Sequence, residues 1–74
     1  MKITNEKALV PGILYCLFET AEDANGEEYA REGALVYWTG DCFMDEEGDE
    51  RFDYWEWAVA QSTTPNPDYI ALAA

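Results

Sequence analysis

Histidine is absent from the 74 residues, and with it the side chain that most often serves as acid, base or metal ligand near neutral pH. There is one serine, Ser62, with no base beside it, and two cysteines, Cys16 and Cys42, which without histidine cannot complete a zinc site. No glycine-rich phosphate loop is present. Paired carboxylates can hydrolyse glycosides, but so short a chain leaves little room for a sugar-sized cleft. These absences argue against an enzyme and imply no cofactor or metal. Nor does any apolar run approach the roughly eighteen residues of a membrane span. The apolar stretch 8–18 follows Lys2 and Lys7 in the manner of a secretory leader, but Pro11 and Gly12 interrupt it and Glu6 dilutes the basic flank, so it reads as part of the core. Two cysteines fall far short of a disulfide-stapled scaffold, and the reading favours buried thiols in a reducing cytoplasm over a bond between them.

Positive charge is equally scarce. Four Lys and Arg face sixteen Asp and Glu, for a formal charge of −12. The excess is blocked: residues 41–56 hold Asp41, Asp45, Glu46, Glu47, Asp49, Glu50, Asp53 and Glu56 against Arg51, and residues 19–32 hold six acids against Arg31. A spread of acids would suit solubility or high salt. Blocks of this kind attract cationic surfaces and repel nucleic acid and anionic membranes, so a basic protein partner is expected, with no direct nucleic-acid or membrane binding.

Against this, 49% hydrophobic and 15% aromatic residues exclude an acidic disordered tail. Residues 1–74 make a single compact domain with a thin margin, since a chain of this size buries only about 60% of its unfolded surface. The expected fold is α+β or mainly β: a small antiparallel sheet of three to four strands with at most one short helix. Residues 13–19 (ILYCLFE) and 34–38 (ALVYW) read as buried strands. Gly40 marks a bulge or tight bend before Cys42, Phe43 and Met44. Residues 45–50 (DEEGDE) form a hairpin turn, with Gly48 free to take positive φ. Residues 51–61 (RFDYWEWAVAQ) read as one two-sided strand, with Trp55, Trp57 and Val59 on one face and Phe52, Tyr54 and Ala58 on the other.

Residues 20–33 fit two local structures. Asn25-Gly26 signals a hairpin. Asn25 with Glu28 also fits a capping box, and Glu27 and Arg31 stand at i,i+4, so the reading favours one or two helical turns ended by Gly33. Pro65-Asn66-Pro67 is a rigid turn feeding an edge strand over residues 68–72, which would allow a homodimer as well as a monomer. No internal repeat is evident. Counting from Ala21, residues Asp23, Asn25, Gly26 and Glu32 fall on calcium-loop positions, but Ala21 stands where the first ligand belongs and a strand precedes it, so calcium is not expected.

The partner-binding set follows from the acids. On a strand, alternate side chains stand about 6.7 Å apart on one face, about two steps of the phosphate spacing along one DNA strand. Asp45, Glu47 and Asp49 would form one such row and Glu46 and Glu50 another, with Asp41, Asp53 and Glu56 extending the surface. Glu22, Asp23, Glu27 and Glu28 would form a second contact. The aromatics are mainly core, but Tyr54 and Trp57, beside Asp53 and Glu56, are placed to stack on arginine.

In size, acidity, aromatic content and lack of catalytic groups the chain resembles the small phage-encoded inhibitors that mimic nucleic acid, among them anti-CRISPR, anti-restriction and uracil-DNA glycosylase inhibitor proteins. The order Val36-Tyr37-Trp38-Thr39-Gly40 followed by Pro67-Asp68-Tyr69-Ile70-Ala71-Leu72 is also similar to a short phage and bacterial domain of unknown function, with Ala71 where that domain has proline. The resemblance implies action in the bacterial host cytoplasm, where the protein would block the groove of a basic nucleic-acid-handling protein. A phage accessory or assembly module working through an exposed aromatic patch is the alternative expectation.

Overall fold

The computed structural model describes residues 1–51 and 54–71. Five strands form one antiparallel sheet: β1 (Leu14–Glu22), β2 (Glu28–Trp38), β3 (Phe43–Met44), β4 (Glu50–Arg51) and β5 (Trp57–Ala60), in the order β4-β3-β2-β1-β5. The only helical pieces among the described residues are 3-10 turns at Glu6–Ala8 and Pro67–Tyr69. The mainly β antiparallel fold is as the sequence led us to expect. No helix among the described residues is long and apolar enough to cross a membrane.

The core lies on one face of the sheet. Alternation along β1 and β2 sends Tyr15, Leu17, Val36 and Trp38 to this face, where Leu9, Ile13, Phe43 and Ala58 join them. Polar atoms inside are matched: the Tyr15 hydroxyl accepts the Val10 N–H at 2.8 Å, and the Ser62 hydroxyl accepts the Leu14 N–H at 3.0 Å. Thus the lone serine closes the end of β1. Phe43 meets Trp38 edge-on at 4.9 Å and Trp55 at 5.6 Å, a cluster in which each ring pair adds about 0.5–1.5 kcal/mol beyond burial.

Trp55 explains why residues 51–61 are not one strand. β4 and β5 occupy opposite edges of the sheet, so the chain between them must cross the core face. Trp55 packs against the core on the way, and the Glu56 N–H then donates to the Phe18 carbonyl at 2.8 Å, starting the β5 pairing. Beyond the break Trp57 and Val59 lie on the opposite face, aligned with Phe18 and Cys16. Trp55 therefore does not share their side, and Phe52 is outside the described residues.

The segment 20–33 is a hairpin, not a helix. The Asp23 N–H donates to the Glu27 carbonyl at 3.0 Å and the Gly26 N–H to the Asp23 carbonyl at 3.1 Å, with Gly26 at φ +79°. Residues 45–49 repeat this geometry: Asp45 N–H to Asp49 carbonyl at 3.1 Å, Gly48 N–H to Asp45 carbonyl at 3.1 Å, and Gly48 at φ +86°. A D-x-x-G-acid pentapeptide thus recurs, a repeat not evident when the sequence is read for longer periods. Gly33 ends no helix. It sits with Ala34 opposite Leu17, where the β1–β2 register shifts by one residue. A Cβ there would come 3.1 Å from the Leu17 carbonyl.

The expected edge strand at 68–72 is also absent over its described part. Asn66 caps the Pro67–Tyr69 turn by accepting the Asp68 N–H at 3.0 Å, and the Ala71 N–H donates to the Thr39 carbonyl at 2.8 Å. Leu72 lies outside the described residues. Proline at the first helical position favours the turn over an extended start.

Beyond Phe18 and Glu32 no strand among the described residues neighbours the β1–β2 hairpin, which is exposed on both faces apart from the half-buried Glu19 and Ala21. This arm accounts for the elongated shape, 48 × 24 × 19 Å, and for a radius of gyration of 13.2 Å, against about 11 Å for a compact chain of this length. Phe43→Ala should cost about 3–5 kcal/mol by removing the ring both tryptophans touch. Urea unfolding followed by tryptophan fluorescence is the check, and a loss under about 1 kcal/mol would mean the cluster does not hold the sheet together.

Candidate acidic interface

Strand pairing sorts the charges of the arm. Glu22 faces Glu28, Thr20 faces Ala30 and Phe18 faces Glu32, which puts these pairs on one side; Ala21 with Tyr29 and Glu19 with Arg31 take the other. Arg31, the only base in the 19–32 block, binds Glu19 at 3.4 Å and so points away from Glu22, Glu28 and Glu32. One face of the arm is acidic and the other is near neutral.

The register shift carries the acidic face into the body of the sheet. With one extra residue on β2, Leu35 pairs with Cys16 and shares the side of Glu32. Tyr37 follows on that side, and Tyr69 stacks on it at 3.9 Å and 8°. The Tyr69 hydroxyl donates to the Glu46 carbonyl at 2.9 Å, which draws the 45–49 turn over the same face. A hollow of about 400 Å³ is lined by Leu35 of β2 and by Asp45, Glu46 and Glu47 of the turn. The meander points both acidic turns the same way along the sheet, with the 23–27 turn carried farther out by the arm, while Asp41, in the β2–β3 turn, lies at the opposite end of β3.

The carboxylates do not form an extended row over residues 45–50. Those residues turn back on themselves, and Asp45, Glu47 and Asp49 bring a carboxylate oxygen each within 4.8 Å of one another. The Asp45 Oδ1 accepts the N–H of Glu47 at 3.0 Å and of Asp49 at 2.9 Å; Asp23 does the same for Asn25 at 2.8 Å and Glu27 at 3.0 Å. These two aspartates build the turns. The calcium-loop register over 21–32 is not realised, since strands rather than helices flank it.

The remaining predicted residues divide. Glu46, Glu47, Asp49 and Glu50 are exposed on the β3–β4 hairpin, and Glu27 is exposed at the arm tip. Glu56 is half-buried at the base of the arm, accepting from the Thr20 hydroxyl at 2.9 Å and the Tyr54 hydroxyl at 3.2 Å. Tyr54 is 71% exposed, and the Glu56 charge followed by the hydrogen bond to it pushes its phenol above the usual tyrosine range. The Trp57 ring stacks on Phe18 at 5.6 Å, with the Lys2 Nζ 4.2 Å from its centroid. Asp53 lies outside the described residues. Glu32, Leu35 and Tyr69 share this face and were not anticipated; period-two alternation from Glu28 would have found Glu32 had the segment been read as a strand.

A second groove, of about 380 Å³, lies at the register shift and is lined by residues including Leu17, Glu19, Arg31, Glu32, Gly33 and Tyr54. Both cysteines are free and buried. Burial pushes both thiols up from their ordinary range, and at Cys16 a hydrogen bond to Glu32 and its charge add to this. Comparison with protein families, curated proteins and solved structures yields no match.

Glu22 opposite Glu28 is a like-charge pair that weakens the arm, and among the described residues neither has an ion-pair partner. Glu28→Lys should stabilise the protein by about 0.5 kcal/mol at low salt, about 2–4 °C in melting temperature. The gain should shrink as salt screens it. An unchanged or lowered melting temperature at low salt would show that the two side chains do not face each other.

Proposed function

We propose that the protein is an inhibitor of the phage type that docks its acidic face on a basic nucleic-acid-handling protein and occupies the groove meant for phosphates. One observation carries the reading: Arg31 turns to the far side of the arm, leaving Glu22, Glu28 and Glu32 without a cation on the same side of the sheet where Leu35 meets Asp45, Glu46 and Glu47. Uncompensated like charge costs stability, and a cationic partner returns that cost on binding. The contact is a face with a hollow in it rather than a straight row of strand carboxylates. Glu50, Asp49 and Glu27 border it, and Glu56, fixed by two hydroxyls, adds a carboxylate at its base. Asp23 and Asp45 serve it through the turns they hold.

Association is fast at low salt and weakens steeply as salt rises. Reversal of Glu46, Glu47, Asp49 and Glu50 to lysine abolishes binding and spares the fold, because all four are exposed. Affinity capture from bacterial lysate tests this, and a basic nucleic-acid-binding protein eluted by salt and displaced by duplex DNA is the expected catch. A salt-resistant partner that DNA does not displace, still bound by the fourfold variant, would overturn the reading in favour of an accessory or assembly module.

A further inference from the structure

The outer edge of β2 is open along most of its length. β3 pairs with β2 only at Tyr37 and Trp38, so no strand among the described residues covers the stretch from Glu28 to Leu35. Two bonds fix which backbone groups point outward there. The Asp23 N–H donates to Glu27, making 23 and 27 a hydrogen-bonded pair, and the Phe18 carbonyl faces away from β2 to accept from Glu56. Antiparallel pairs alternate between bonded and non-bonded. The non-bonded pairs are therefore Glu22 with Glu28, Thr20 with Ala30 and Phe18 with Glu32, and the N–H and C=O of Glu28, Ala30 and Glu32 are aimed out from the sheet edge.

We propose that this edge accepts an extended, lysine- or arginine-bearing segment of the partner as an added strand. The proposal rests on the basic-partner reading above and names the mode of contact. Strand addition draws affinity from the main chain and specificity from alternate side chains. The side chains flanking the edge are Glu28 and Glu32, and the edge runs into the hollow of Leu35, Asp45, Glu46 and Glu47. Cations spaced about 6.7 Å apart on an added strand would lie along these acids, with one stem against Leu35. Charge excludes the obvious competitor. A second copy pairing on the same edge would set Glu28 and Glu32 of one chain against those of the other, a like-charge contact that opposes self-association. The edge is closed to its own kind and open to a cationic strand.

The test uses the full chain and an eight-residue peptide of alternating lysine and valine. A second peptide of equal charge carries N-methyl groups on its pairing edge, and Ala30→Pro removes one outward N–H while leaving the β1–β2 ladder intact. Strand addition predicts that the first peptide slows hydrogen exchange at Glu28, Ala30 and Glu32. N-methylation or Ala30→Pro should each weaken binding about tenfold. The unfolding midpoint of Ala30→Pro confirms that its fold is kept, and the N-methyl peptide stands as the control if it is not. Equal affinity for both peptides with no amide protection would overturn strand addition yet leave the basic-partner reading standing. Failure of both peptides to bind at low salt would remove both. A dimer in sedimentation that protects the same three amides would assign the edge to a second copy and overturn the proposal.

Discussion

The pairing of β1 with β2, shifted by one residue opposite Leu17, governs the rest of the molecule. Side chains alternate with a period of two, so the register decides which residues share a face. On the sheet side of the shift, Tyr15, Leu17, Val36 and Trp38 reach the core. On the arm side, Glu28 and Glu32 reach the face where Leu35 and Tyr37 emerge. Without the extra residue at Gly33 and Ala34, those two acids would stand on the core side of the sheet, and Arg31 would take the side of Leu35 and Tyr37. The acidic face would then be split from the 45–49 turn.

Stability and charge pull against each other here. The core is one layer of aromatic and aliphatic side chains under a twisted sheet, and a domain of this size holds about 4–11 kcal/mol in all. Like charges across the arm take tenths of a kcal/mol from that. The arm endures because its turn is tied by the Asp23 side chain, which holds two backbone N–H groups as Asp45 does in the β3–β4 turn. Its base is held by Glu56, bonded to Thr20 and Tyr54. Acids thus act in two ways: Asp23 and Asp45 satisfy backbone donors, while Glu22, Glu28, Glu32, Glu46 and Glu47 project charge.

Much of this was legible in the sequence, and the failures have physical causes. Residues 13–19 and 34–38 declare themselves as strands because their apolar, aromatic character extends over both faces, and 45–50 declares itself as a turn through its glycine. Residues 20–33 were ambiguous because Asn25 and Glu28 satisfy a capping box as well as a hairpin; pairing with β1, a non-local effect, decides between them. Residues 51–61 alternate like one strand, but Trp55 is needed over Phe43, and the chain breaks there to cross the core. The acid blocks were plain, whereas their confinement to one face depends on a register shift that composition does not encode. Glu32 escaped notice because the helical reading of residues 20–33 hid its alternation with Glu28 and Ala30.

The register is also the point at which the account is most exposed. Nuclear Overhauser contacts between backbone Hα atoms identify non-hydrogen-bonded pairs in an antiparallel ladder, where the Cα atoms approach to about 4.5 Å. The account predicts contacts between Glu22 and Glu28, Thr20 and Ala30, and Phe18 and Glu32, with the sequence offset changing by one between Phe18 and Cys16. Helical contacts across residues 20–33, or an offset that runs unbroken from Glu22 to Leu14, would place Glu28 and Glu32 elsewhere and contradict it.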